Sequence, residues 1–554
     1  MSGVLQTRHL RCFSSPITQS SLRALRGGSP AVPVYNFGSH QRRDLSIAQL
    51  DNDKRDRQRV VILGSGWAGF TIARRLNPKL YQAIVVSPRS YFVFTPLLAS
   101  TSVGTLEFRT ALEPVRSITK PVEFLQGWAD DVDFASKRIA VEEAVDDPRG
   151  TSALTYDRNK PAVKSLAEQQ AEKFQEKKKG ELFDLTWDKL IIAVGCYNQT
   201  FGTPGVRENA MFLKDVSDAR RIRNRLLTCF ETASLPTTTD EMRKNLLNFA
   251  IVGGGPTGIE FSAELHDLIR EDMGKLYPTL MPFYKITVYD IAPKVLSMFD
   301  EKLGKYALKH LQREGVQVKT SHHVEELRRG SPKATLDKDA AKGADMGWTL
   351  KTKEEGEVGV GMCVWSTGLM MNPFVEQKLA GTVQLPKEGI KFAGVSEAES
   401  RTTEWLVKKA PKSGGVTTDD KLRVLLQPKD SKDGSRSAVM QDVYALGDCA
   451  VTEGTMYPAT AQVASQKAEW LAKRFNARDI DTQKGFNWKN MGVMAYLGNW
   501  NAVLQSSGGD FSGRTAWFIW RGAYLTKAVS WRNKILIPTY WFINWLFGRD
   551  VSRF

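Results

Sequence analysis

A chain of 554 residues is too long for one hydrophobic core and calls for roughly three or four domains. Its 42% apolar and 25% charged content is that of a globular protein, which excludes a disordered or fibrous chain, and the formal net charge of +16 makes it basic. The five cysteines, Cys12, Cys196, Cys229, Cys363 and Cys449, have no CxxC or paired spacing, which excludes a disulfide framework, a structural zinc site and a dithiol redox centre. No metal site is expected.

Residues 1–43 carry six arginines (8, 11, 23, 26, 42 and 43) and no Asp, Glu or Lys, the pattern of a mitochondrial presequence. A disordered basic tail is the alternative. Without them the charge is still +10 of the +16, yet no nucleic-acid motif appears and no nucleic-acid partner is expected.

RVVILGSGWAGFTIARRL then predicts a buried strand, a turn through Gly64, Ser65, Gly66, Trp67, Ala68 and Gly69, and a helix. The following strand, AIVVSPRS, ends without the acid that usually binds a ribose and offers Ser87 and Arg89 instead. KLIIAVG, closing at Gly195, predicts a strand returning beneath the glycine turn.

A second unit begins at NFAIVGGGPTGIEFSAEL, with Gly253, Gly255, Pro256, Thr257 and Gly258 in the turn. Its second strand, KITVYD, does end in an acid, Asp290, and its return strand, MCVWSTG, closes at Gly368. Each terminal glycine is expected where a side chain would collide with a dinucleotide. VYALGDCA then sets Gly447 and Asp448 between a strand and the helix of PATAQVASQKAEWLAKRF.

Two dinucleotide units followed by strand, Gly-Asp and helix imply that the first binds FAD and the second a nicotinamide. Ser87 or backbone groups would take the FAD ribose, Arg89 the adenine end or the pyrophosphate, and Asp448 the ribityl chain. A 2′-phosphate partner for Arg89 is the rival reading. Asp290 should hydrogen-bond the second ribose and repel a 2′-phosphate, which favours NADH over NADPH.

The fold class is therefore α/β: two Rossmann-type dinucleotide-binding domains, a two-dinucleotide-binding flavoprotein, plus a C-terminal membrane-associated region. The expected boundaries are 59–240 and 371–478 for the two parts of the FAD domain and 245–370 for the NADH domain. A charged insertion occupies 142–181, with AEQQAEKFQEKKKGE as a solvated helix, and a polar insertion occupies 396–437. Residues 479–554 form the tail.

These motifs, with SPRSYFVFTPLLAS, VWSTG, YALGDCA and PATAQVASQ, resemble the type II NADH:ubiquinone oxidoreductases, the single-chain alternative NADH dehydrogenases. The resemblance runs from about residue 59 to the end, the insertions apart. It implies FAD and NADH as cofactors, ubiquinone as acceptor, and a peripheral enzyme of the inner mitochondrial membrane that does not pump protons. It implies for Glu260 a place near flavin and nicotinamide, with a positioning or proton-coupling role. An acid favoured there by the helix dipole alone is the bland alternative.

Ala461, Gln462 and Gln466 match the family's AQxAxQ motif. The two glutamines share a helix face, where their amides can donate to a quinone carbonyl; a solvent-facing pair is the alternative. No EF-hand loop occurs, so calcium control is not expected.

The tail GRTAWFIWRGAYLTKAVSWRNKILIPTYWFINWLFGRDVSRF has seven Lys or Arg against one acid. Its aromatics include Trp517, Phe518, Trp520, Tyr524, Trp531, Trp541 and Trp545. Residues 535–547 are too short to span a bilayer and are expected to be broken by Pro538, lying instead on the lipid surface. Half a dozen aromatics burying about 100 Å² each would contribute roughly 15 kcal/mol before costs. A dimer interface or packing onto the FAD domain is the alternative, and a homodimer is expected. The matrix side is the expected face, since no apolar stop segment lies between Arg43 and Arg59. Ferredoxin-reductase-type flavoproteins, and a flavin-fold interaction protein like apoptosis-inducing factor, remain the competing readings.

Overall fold

The computed structural model describes residues 46–145, 180–332, 347–430 and 436–553. The presequence, Cys12 and all but the last two residues of the expected charged helix lie outside them. Two compact units divide the chain, residues 1–53 and 54–554. The described part of the first is the start of helix Ile47–Lys54, capped by Ser46, whose hydroxyl accepts from Gln49 N at 3.2 Å.

In the second unit, strand Gln58–Leu63 lies parallel between Tyr81–Ser87 and Lys189–Ile192. Val60 to Leu63 and Ile84 to Val86 are buried on both faces, as continuous apolar runs in a covered parallel sheet must be. Ser437–Ala445 joins the far side of Lys189–Ile192, also in parallel, so the late segment completes the sheet begun by the first glycine unit. The sheet has 13 strands in all.

The second glycine strand, Asn248–Val252, has the same neighbours in kind. It lies parallel between Lys285–Tyr289 and the return strand Met362–Trp365, in a five-stranded sheet. The doubling legible in the motifs is thus a doubling of topology.

Residues 396–437, expected as a polar insertion, contribute strands to the large sheet. Trp405–Val407 and Arg423–Pro428 extend the large sheet, and Trp405, Val416, Val424 and Leu426 are buried. Their apolar runs are short and separated by long charged turns, so the average composition conceals them.

The tail forms a three-stranded antiparallel meander, Val493–Gly498, Asn501–Ser506 and Gly509–Gly513, followed by helices Arg514–Lys527 and Trp531–Phe547. The expected break at Pro538 does not occur; the second helix runs through it. Proline removes one backbone donor, and Thr539 Oγ1 donates to the Ile535 carbonyl at 2.8 Å one turn back.

The aromatics divide. Trp517 and Trp520 are buried, whereas Phe518, Trp531, Phe542, Trp545 and Phe547 are exposed. The Arg521 guanidinium lies 4.2 Å from the Trp517 ring and 4.3 Å from the Trp541 ring, coupling the two helices. Buried Asn533 donates to Glu113 Oε1 at 2.9 Å and to the Leu112 carbonyl at 3.1 Å. Much of the tail is therefore part of the fold. Among the described residues no helix is long and apolar enough to cross a membrane.

Candidate active site

Three glycines divide the work of each turn, and an added Cβ reveals how. At Gly64 (φ +108°) it would meet the Ala193 carbonyl oxygen at 2.3 Å, and at Gly69 the Gly64 carbonyl oxygen at 2.0 Å. Gly66 faces open space. Gly253 (φ +117°), Gly255 and Gly258 repeat the arrangement: backbone at 2.9 Å, open space, then the Gly253 carbonyl oxygen at 2.0 Å. The outer glycines permit a tight turn and close helix–strand packing, and the middle one leaves room for a pyrophosphate at the helix start.

A cavity of about 550 Å³ opens between the first glycine-turn sheet and the second. The whole first turn from Gly64 to Ala68 lines it, as do Ser87, Arg89, Gly195, Gly447 and Asp448. Pro256, Thr257, Glu260 and Gly368 enter from the second glycine-turn domain, and Ala461 from the late helix. A Cβ at Gly195 would meet nothing within 4 Å, consistent with room kept for a ligand. At Gly368 (φ +73°), which also lines the cavity, a Cβ would strike the Phe201 ring at 2.6 Å.

Several polar groups have partners that sequence reasoning missed. Ser65 Oγ and Ser87 Oγ lie 2.9 Å apart, and Arg89 pairs with buried Asp215 at 2.6 Å. The Cys196 thiol donates to Asp448 Oδ2 at 3.3 Å and accepts from Lys214 Nζ at 3.0 Å. Burial pushes that thiol up to about 11, against the opposing pull of Lys214, so it stays neutral. Nothing in the spacing of Cys196 and Lys214 announces the pair. Asp290 accepts from the Gly254 N–H and, at 2.7 Å, from Ala292 N, which fixes its carboxylate over the glycine turn.

Glu260 is the fifth residue of helix Pro256–Leu268, just past the first turn expected for it. It is 8% exposed, and its Oε1 accepts from Tyr496 N at 3.2 Å and Trp520 Nε1 at 3.3 Å. Desolvation raises its carboxyl from 4.5 to about 8, outweighing these two donors. A surface acid serving the helix dipole would be neither buried nor shifted upward.

Helix Ala461–Ala477 is capped by Thr460, which accepts from Val463 N at 3.3 Å. Gln462 and Gln466 do share a face, but their amides hold the chain that follows. Gln462 Oε1 accepts from Trp488 Nε1 at 2.9 Å and Met491 N at 3.0 Å, and its Nε2 donates to the Gly492 carbonyl at 3.3 Å. Gln466 Nε2 donates to the Lys489 carbonyl at 2.9 Å. Both glutamines line a groove of about 1370 Å³. Trp67, Pro96, Ala461, Met494 and Tyr524 line both this groove and the dinucleotide cavity. Among the described residues no cluster of His, Cys, Asp or Glu is placed to hold a metal ion.

The paired glycine turns, the shared cavity and the adjoining groove define a two-dinucleotide flavoprotein oxidoreductase. Residues 58–391 match the pyridine nucleotide-disulphide oxidoreductase family model, and residues 490–550 match the NDH2 C-terminal domain. A Dictyostelium discoideum protein named "Probable NADH dehydrogenase" is 35% identical, over 90% of this chain and 92% of its own. An internal alternative NAD(P)H-ubiquinone oxidoreductase of Solanum tuberosum is 32% identical, over 92% and 90% respectively. An external one of Arabidopsis thaliana is 31% identical, over 90% and 91%. The structure of NDH2 from Plasmodium falciparum in complex with NADH superposes with a TM-score of 0.67 at 21% identity, covering 90% of this chain and all of that one. The chain belongs to the type II NADH dehydrogenases.

Proposed function

We propose that this chain is a non-proton-pumping NADH:ubiquinone oxidoreductase that uses FAD, peripheral on the inner mitochondrial membrane. The observation that carries the reading is the wall common to cavity and groove, which would separate flavin from quinone by side chains such as Trp67 and Tyr524. Bound FAD supplies the two-electron carrier that takes a hydride from NADH and passes the electrons to quinone.

The chain's own groups would do the rest. Gly66 and the helix start would bind the FAD pyrophosphate and Asp448 its ribityl hydroxyls, with Ser87 and Arg89 near the adenosine end. Gly255 and Asp290 would hold NADH. Glu260, protonated at neutral pH, would position substrate and donate a proton at its carboxyl oxygen. Gln462 and Gln466 would shape the quinone groove by holding residues 488–492, and either amide would have to exchange that loop for a quinone carbonyl to donate directly.

The exposed Phe518, Trp531, Phe542, Trp545 and Phe547 support a lipid-facing tail. Relatives named internal and external match this chain equally well, and the matrix side and a homodimer belong to this proposal. Protease protection in intact mitoplasts tests the first and the mass from sedimentation in mild detergent the second. The central test is steady NADH oxidation with a soluble quinone: turnover with one quinone consumed per NADH is expected. Flavin bleaching without turnover would instead favour a flavin-fold binding protein.

A further inference from the structure

The reaction has a proton requirement. NADH delivers two electrons and one proton as hydride, whereas a quinone becomes a quinol by taking two electrons and two protons. One proton per turnover must therefore come from solution, although Glu260 lies buried at the floor of the cavity.

Helix Pro256–Leu268 carries more buried acid than Glu260. Glu264 follows one turn later and Asp267 three residues beyond, so the three occupy one helix face, and each is less than a tenth exposed. Glu264 and Asp267 line a second cavity of about 760 Å³, separate in its lining from the dinucleotide cavity. Ser100 Oγ and Thr105 Oγ1 donate to the two Glu264 oxygens at 2.6 and 2.7 Å. Arg549 donates to Thr105 Oγ1 at 3.0 Å and pairs with Asp272 and exposed Glu271, each at 2.7 Å, at the cavity's outer end. Tyr496 and Trp520 form the partition: both line the second cavity, and both donate to Glu260.

We infer that Glu264 is the proton-relay residue that connects solution, through the second cavity, to Glu260 and the flavin. This rests on the quinone reductase reading above. In the relay Glu264 takes a proton from cavity water on one oxygen and, after Glu260 has given its own proton to the reducing site, passes the proton one turn along the helix. No bond other than O–H forms or breaks, and the net change is one proton drawn from solution per quinol.

Carboxyl groups a turn apart and out of water are costly to keep as mere scaffolding. The groups facing Glu264 set its behaviour: Glu260 and Asp267 on its own helix, Asp272 just beyond it, Ser100 and Thr105 on the preceding segment, Tyr496 on the meander, and Arg521 and Arg549 on the tail. Burial raises its carboxyl above the ordinary value, against the opposing pull of Arg549 and the two hydroxyls.

The test is stopped-flow on full-length, FAD-loaded Glu264→Gln with NADH and a soluble short-chain quinone, beside wild type, whose turnover checks the parent reading independently. NADH should bleach the flavin at the wild-type rate. Reoxidation by quinone should fall at least tenfold at pH 8 and less at pH 6, and millimolar acetate or azide should restore it. Glu264→Asp, which keeps a titratable acid, should recover most of the rate. Wild-type reoxidation in Glu264→Gln would overturn the relay. So would a slowed rate that is flat with pH and indifferent to small acids, or one that Glu264→Asp does not rescue.

Discussion

Glu260→Gln tests the strongest electrostatic statement the structure makes. Burial lifts the Glu260 carboxyl from 4.5 to about 8, so the native protein keeps this proton over a range in which the unfolded chain has lost it. Below about pH 4.5 both states are protonated and the residue costs nothing. As pH rises towards 8 the unfolded state is increasingly favoured by ionisation, and above 8 the full cost is present. At about 1.4 kcal/mol per pH unit the ceiling is roughly 5 kcal/mol, which local relaxation reduces to about 2 kcal/mol. Glutamine keeps an oxygen for Tyr496 N and Trp520 Nε1 and has no charge to lose, so its stability should not follow this curve. Thermal unfolding, followed by intrinsic fluorescence, should show the variant near wild type at pH 5 and more stable by several degrees at pH 9. Parallel melting curves across that range would refute the desolvated, protonated Glu260 and with it the proton-donating role.

Replacing Asp290 with Ser should raise the NADPH to NADH ratio of kcat/KM by tenfold or more; an unchanged ratio would remove Asp290 from ribose recognition. The same change removes the cap on Gly254 and should cost about 1 kcal/mol in urea unfolding. Gln462→Ala should slow flavin reoxidation by quinone and leave flavin bleaching by NADH intact, with new protease sensitivity around residues 488–492 as the sign of a released loop. Asn533→Ala leaves Glu113 short of a donor in a buried setting and should destabilise by roughly 1–3 kcal/mol, read from denaturant midpoints. Replacing exposed Phe518, Trp531, Trp545 and Phe547 together with Ser should release the protein from anionic liposomes without changing its melting midpoint by more than a few degrees.

What the sequence displayed most openly was whatever depends on local backbone geometry. The six motif glycines stand where an added Cβ strikes backbone or occupies ligand space, a constraint local enough to leave a fixed spacing. The return strands were legible because a fully buried parallel strand must be apolar throughout, as Lys189–Ile192 and Met362–Trp365 are after their first residues. Contacts between distant segments left no such trace. The Lys214–Cys196–Asp448 chain joins residues up to 252 positions apart. Glu264 was half legible, since its i+4 spacing from Glu260 is local, but the hydroxyls and the cavity that give it meaning come from elsewhere.

The tail shows why composition alone misled in one respect. Aromatics counted together suggest a single lipid-facing surface, yet helix geometry sends the outer and the inner pair of WFIW in opposite directions: Trp517 and Trp520 inward, Phe518 and Ile519 outward. Of the inward pair, Trp520 donates to Glu260 and Trp517 stacks on Trp500, while the outward residues face away from this packing. Deleting the tail would therefore strip Trp520 from Glu260 and Arg549 from Asp272 as well as removing any anchor, so a lost activity in such a truncation would not locate the membrane surface. Only substitutions confined to the outward face separate the two roles, because they leave the inward packing, and hence the proton chemistry at Glu260, as it is.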